Sequence, residues 1–194
     1  MTAPGGASTL PGVRFGRLAS HGDVRGAFTE VWRASMFAGA PAGAAPASGD
    51  APFVQANLST SAPGVLRGLH LHRRQLDYWV VVGGRAFVAL VDARPGIAGS
   101  DAPAPAEARE LEPNDWVVIP AGVAHGFLAL ESLQLLYLVT NEYDGSDELG
   151  FAWDDPAVRV PWPAVPGTGD GRPITSERDA SNPTLAELVR RLRG

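Results

Sequence analysis

From residue 53 onward the hydrophobic positions fall in short runs, too brief for helices and separated by glycine and proline. The runs occupy residues 53–59, 65–72, 78–82, 85–92, 116–119, 126–130 and 134–140. Turn signals stand between them at Gly83-Gly84, Pro95-Gly96, Pro113-Asn114 and Pro120-Ala121-Gly122. Many short strands with such turns predict an all-β sandwich or barrel. Only the end of the chain carries helical spacing. There Leu185, Leu188, Val189 and Leu192 share one face, with Asn182 placed to cap and Pro183 to open the helix. Arg190, Arg191 and Arg193 suit the negative end of its dipole.

Composition sets the limits of this pattern. With 194 residues, 45% of them hydrophobic, the chain builds one core, so residues 13–194 are read as a single domain. Residues 1–12, small and rich in glycine and proline, predict a loosely held terminus. Residues 38–52 are nearly all Ala, Gly, Pro and Ser and predict a flexible insertion. No apolar run reaches the length of a membrane span and no leader pattern opens the chain, which predicts a cytoplasmic protein without membrane partners. The absence of cysteine excludes disulfides, thiolate metal sites and a cysteine nucleophile. A formal charge of −5 with no basic run excludes an electrostatic footprint for nucleic acid. A few arginines still suffice to hold a small anion.

Three of the four histidines fall in two motifs, Gly64-Val65-Leu66-Arg67-Gly68-Leu69-His70-Leu71-His72 and Pro120-Ala121-Gly122-Val123-Ala124-His125-Gly126-Phe127. On a strand His70 and His72 point the same way, with Arg67 close by. A hydrogen-bonded pair of core histidines is one account of them. A chemical site is the other.

Residues 53–59, Phe-Val-Gln-Ala-Asn-Leu-Ser, running on through Gly64 to His70, resemble nearly letter for letter the FVQxNxSxSxxGVLRGLH block of the dTDP-4-dehydrorhamnose 3,5-epimerase family. Residues 23–30 are similar to its DxRGxFxE block, 119–127 to IPxGxAHGF, 136–143 to LYxxTxxY and 176–180 to SxxDA. Glu148-Leu149-Gly150, Trp153-Asp154-Asp155-Pro156 and Trp162-Pro163 recur in the family's order. The resemblance implies a cupin fold, that is, a double-stranded β-helix or jelly-roll barrel, here closed by a short C-terminal helix. It also implies a homodimer with a strand contributed across the interface.

For function, the resemblance implies a cofactor-independent isomerase that inverts C3, C5 or both in a dTDP-linked 4-keto-6-deoxyhexose. His70 would be the base, Asp179 the carboxylate that orients it and Tyr137 the acid that returns the proton. Arg25 and Arg67 would grip the diphosphate. Phe28, Glu30, Gln55, Asn57, His125, Tyr143 and Glu148 complete the implied substrate site.

Three departures set this chain apart. The family's QxKxV segment, whose lysine stabilises the enolate oxygen, is here Gln75-Leu76-Asp77-Tyr78-Trp79-Val80. A charge pair about 4 Å apart contributes roughly 1–4 kcal/mol at effective dielectrics between water and a protein surface, and reversing one sign changes the interaction by about twice that. Arg73 and Arg74 are the candidates to replace the lost cation. His72 stands where the family has glutamine, and Gly64, His70, His72, Asp77 and Gly84 reproduce the general cupin metal-binding spacing with Asp for its Glu. His70, His72, Asp77 and His125 would then form a site for one divalent Mn, Fe, Ni, Co or Zn. A His70 bound to metal is no longer a free base. Glu142 replaces an aromatic residue near the nucleotide-sugar pocket. The leading reading is the epimerase. A metal-dependent cupin isomerase, lyase or oxygenase is the second, and a non-catalytic sugar-nucleotide-binding protein the third.

Overall fold

A computed structural model of the chain describes residues 6–37, 53–165 and 171–194. The insertion expected at 38–52 lies outside the described residues. Twelve strands run in order: β1 (Arg14–Arg17), β2 (Ser20–Asp23), β3 (Gly26–Thr29), β4 (Gln55–Ser61), β5 (Leu66–Leu71), β6 (Asp77–Gly83), β7 (Ala86–Asp92), β8 (Ala106–Leu111), β9 (Asp115–Ile119), β10 (Val123–Ala129), β11 (Leu133–Val139) and β12 (Leu149–Gly150). Three short helices, α1 (Arg94–Ile97), α2 (Glu177–Ala180) and α3 (Leu185–Arg193), decorate them. One five-stranded sheet has the order β1-β9-β6-β11-β4, the other β12-β5-β10-β7-β8, and β2-β3 form a separate hairpin. The chain crosses between the two large sheets as it passes from β4 to β5 to β6 to β7, and again from β9 to β10 to β11. This is the jelly-roll winding of a cupin barrel.

The inner faces of the sheets meet in a core that includes Trp79, Val81, Val88, Leu90, Val117, Ile119, Phe127 and Leu135. Each sheet is also covered outside. Tyr78 and Val80 pack beneath Val31, Trp32, Met36 and Phe53, while Ala89 and Val91 lie under Leu185, Leu188 and Val189 of α3. Burial on both faces removes the polar alternation of a half-exposed strand. All seven residues of β10 are buried, and the strand starts at Val123 rather than the expected 126.

Two further expectations are corrected. Asn182 and Pro183 precede α3, whose cap is Thr184. The Thr184 hydroxyl accepts from the Glu187 amide, and the Glu187 carboxylate accepts from the Thr184 amide, a reciprocal capping box. Residues 6–12 are not loose: Leu10 is buried, Ser8 Oγ donates to Glu107 at 2.7 Å, and the Arg109 guanidinium donates to the carbonyls of Gly6 and Ala7. Their glycines and prolines obscured a tether that depends on the unpredicted edge strand β8. Among the described residues no helix is long and apolar enough to cross a membrane.

Candidate active site

The two sheets part at one end of the sandwich to leave a cavity of about 440 Å³. Arg67, His70, His72 and His125 enter it from the β5-β10 side. Gln55, Asn57, Asp77, Trp79 and Tyr137 enter from β4, β6 and β11 of the opposite sheet, and Tyr143 and Glu148 complete the lining. Strict alternation along β5 would send Arg67 and His70 to opposite faces. Both reach the cavity because the β5-β10 ladder slips by one residue: His125 pairs with His70, but Phe127 pairs with Arg67. Glycine permits this close approach. A Cβ on Gly68 would lie 2.6 Å from the Gly126 Cα, and one on Gly126 would lie 2.8 Å from the Arg67 carbonyl oxygen.

His70 Nε2 lies 2.8 Å from Asp179 Oδ1. A carboxylate only accepts, so Nε2 carries the ring proton and Nδ1 of the neutral imidazole keeps a lone pair. Asp179 is itself held in place. Ser176 caps α2 by accepting from the Asp179 amide at 3.0 Å, and the Gly68 amide approaches the other carboxylate oxygen at 3.4 Å. Burial pushes the Asp179 carboxyl upward, but the His70, Gly68 and Ser176 contacts outweigh it and hold the group below the usual carboxylate range. Tyr137 faces the cavity from the other sheet. Burial, then the charge of Asp77, raises its phenol above the ordinary value and keeps it protonated.

Arg67 donates to Ser61 Oγ at 3.1 Å and to the Thr60 carbonyl at 3.3 Å. Both are neutral, which leaves the guanidinium charge available to an anion. Gln55 bridges the pocket rim, donating to Asn57 Oδ1 at 2.9 Å and accepting from the Tyr143 amide at 2.9 Å. Glu148 accepts from Arg178 at 3.0 Å.

His72, Asp77 and His125 form a second cluster, with one ligand atom from each within 4.8 Å of the others. His70 is not in this set, which corrects the four-ligand expectation. The reason is position: the His70 ring nitrogens fall outside the cluster of ligand atoms, on the side where Nε2 meets Asp179, a placement that local spacing does not reveal. Burial raises the Asp77 carboxyl, and burial with the neighbouring imidazoles lowers His125 well below its usual value. Neither Arg73 nor Arg74 replaces the missing lysine. Their amides donate to the Asp147 carboxylate and Arg74 also donates to Ser146 Oγ, and neither side chain lines the main cavity. Glu142 lines only a small neighbouring pocket.

Arg25, Phe28 and Glu30 are not brought to this cavity. All three ride on or just after the exposed β2-β3 hairpin, where Arg25 pairs with Asp23 and Glu30 with Arg33. Trp79, Gln75 and Asn141 line the cavity without having been expected there. Trp79 and Gln75 stand within the segment that replaces the family's QxKxV, a signal that pointed to Asp77 alone.

The family model described as dTDP-4-dehydrorhamnose 3,5-epimerase matches residues 7–187. A curated dTDP-4-dehydrorhamnose 3,5-epimerase of Sinorhizobium fredii (strain NBRC 101917 / NGR234) is 35% identical over 182 residues, covering 91% of this chain and 86% of the relative. The solved structure of ChmJ, a 3'-monoepimerase from Streptomyces bikiniensis in complex with dTDP-quinovose, superposes with a TM-score of 0.79 at 30% identity, covering 96% of this chain and 89% of that one. The Mycobacterium tuberculosis rmlC epimerase gives a TM-score of 0.80 at 29% identity, covering 100% of this chain and 98% of that one.

Proposed function

The chain belongs to the dTDP-4-dehydrorhamnose 3,5-epimerase family, an isomerase family, and from that premise we propose that it inverts C3, C5 or both in a dTDP-linked 4-keto-6-deoxyhexose. One observation carries the mechanism: His70 and Tyr137 stand on opposite sheets across a single cavity. Inversion beside a ketone requires a base on one face of the sugar and an acid on the other. The Nδ1 lone pair of His70 takes the proton, and the C–H electron pair passes through the new carbon–carbon double bond to the ketone oxygen. The Tyr137 phenol then delivers its proton to the opposite face of the carbon as the electrons return. His70 is left protonated and Tyr137 ionised, and exchange with solvent restores both. Asp179 stabilises the imidazolium formed on the way and fixes the ring that receives the proton.

Arg67 is assigned to the diphosphate, where its planar fork matches paired phosphate oxygens. Gln55, Asn57, His125, Tyr143 and Glu148 are assigned to substrate contacts because they line the same cavity. Arg25, Phe28 and Glu30 enter this reading through a second copy of the chain. Val24 is fully exposed and Phe28 is 69% exposed at the hairpin, so the apolar surface there is left for a partner. In a homodimer the hairpin of one protomer would complete the cavity of the other. A cytoplasmic setting is part of the same reading, since a nucleotide-diphosphate sugar is a charged intracellular metabolite.

The test is incubation of the protein with a dTDP-4-keto-6-deoxyhexose in D2O, followed by NMR of the sugar. Deuterium is expected at C3, C5 or both, with inversion, and its incorporation should vanish in His70→Ala. Exchange at neither centre overturns the reading.

A further inference from the structure

Two imidazoles and a carboxylate, all buried, converge in the cavity, with one ligand atom of each within 4.8 Å of the others. His72, Asp77 and His125 are 7%, 3% and 3% exposed. His72 Nδ1 lies 2.7 Å from the Asp147 carbonyl oxygen, and His125 Nδ1 lies 3.1 Å from that of Val123. Carbonyl oxygens only accept, so each Nδ1 carries the proton and each neutral ring keeps its lone pair at Nε2. The Asp77 carboxylate is held by Gln75 Nε2 at 3.2 Å and Trp79 Nε1 at 3.4 Å, with lone pairs to spare on both oxygens. Backbone carbonyls that fix imidazole tautomers and side chains that orient a carboxylate are the outer partners metal ligands require.

We propose that His72, Asp77 and His125 hold one divalent transition-metal ion, with its remaining coordination positions open to the cavity. Two imidazoles and one carboxylate select first-row transition ions over magnesium or calcium, which prefer all-oxygen sites. Bonds of about 2.1 Å at tetrahedral angles place ligand atoms about 3.4 Å apart, inside the 4.8 Å limit of this cluster. His70 stays outside the site, because its ring nitrogens are not among the ligand atoms that lie within 4.8 Å of one another. Base and metal therefore coexist, which the four-ligand arrangement forbade. A divalent ion on two neutral imidazoles and one carboxylate carries one net positive charge, as a lysine would, at the position where Asp77 replaces the family lysine. Its role, resting on the epimerase reading above, is to polarise the ketone and stabilise the enolate oxygen.

The experiment begins with untagged protein stripped by chelator and titrated calorimetrically with Mn(II), Fe(II), Co(II), Ni(II) and Zn(II), with the Co(II) complex followed by visible absorption. One ion per chain is expected, with affinity falling at least about 100-fold in Asp77→Asn and in His125→Gln. Thermal melts of the stripped variants check that they fold. Failure of all five ions to bind, or unchanged affinity in both variants, overturns the site. Deuterium exchange of the sugar is then measured in stripped and reloaded protein. Exchange restored by metal supports the catalytic role, and exchange indifferent to chelation overturns that role while leaving the epimerase reading intact. A double variant bearing the family residues, His72→Gln with Asp77→Lys, should bind no metal and turn over without one. Metal binding retained in that variant contradicts the assigned ligands.

Discussion

His70 Nε2 meets Asp179 Oδ1 at 2.8 Å across 109 residues of chain. The contact joins α2 to β5 and turns the imidazole so that Nδ1 keeps the lone pair. In Asp179→Asn the amide oxygen is able to accept the same hydrogen bond, but the negative charge that stabilises the imidazolium is gone. Turnover, read as the rate of deuterium incorporation, is expected to fall by roughly 100-fold or more. KM should stay within about twofold, because Asp179 acts through His70 rather than on the substrate. Wild-type turnover in this variant would remove Asp179 from the mechanism.

The same pair links stability to pH. Because its contacts hold Asp179 below the ordinary carboxylate range, the folded protein binds this proton less tightly than the unfolded chain does. The contribution is therefore full above the unfolded value of about 3.9 and is lost as pH falls through the lower folded one. The difference in urea-unfolding stability between wild type and Asp179→Asn should persist from about pH 7 to about pH 5, and should close only in stronger acid. A gap that closes between those two values contradicts the direction of the shift.

Tyr137→Phe separates the two halves of the proposed reaction. The variant keeps the ring and its packing against the core but loses the phenol proton. Deprotonation by His70 should continue, so deuterium still enters the sugar with retained configuration from the His70 face. Formation of the inverted product should drop by about 100-fold. Equal loss of exchange and inversion would place Tyr137 in binding or folding instead.

How legible these features were in sequence depended on whether their cause was local. The runs around β5, β6 and β11 were readable because hydrophobic burial and the Gly/Pro turns lie within them. β8 was not, because Glu107 and Arg109 on this edge strand disguise it, and their partners, Ser8 and Thr9 for Glu107 and the Gly6 and Ala7 carbonyls for Arg109, lie about a hundred residues away. His70 and His72 were recognised as neighbours on one face, yet spacing alone enrolled both as metal ligands. Only the fold distinguishes them, by setting His72 beside Asp77 and His125 while His70 meets Asp179. The one-residue slip opposite Gly68 and Gly126, which lets Arg67 share a cavity with His70, is likewise a product of two strands meeting.

If Arg25 acts on the proposed substrate, it does so in the cavity of another chain. In its own chain Arg25 is exposed and absent from the cavity lining, so a role in binding the diphosphate requires the hairpin to act on a second protomer. Mixing two inactive variants separates this arrangement from a site confined to one chain. His70→Ala lacks the base in its own cavity but carries an intact hairpin, whereas Arg25→Ala has an intact cavity and a defective hairpin. After equal amounts are unfolded together and refolded, random pairing makes about half the dimers mixed, and each mixed dimer contains one cavity with both His70 and a partner's Arg25. Activity should therefore return to about a quarter of wild type. If Arg25 serves its own cavity, every mixed dimer has one site lacking His70 and one lacking Arg25, and mixing restores nothing.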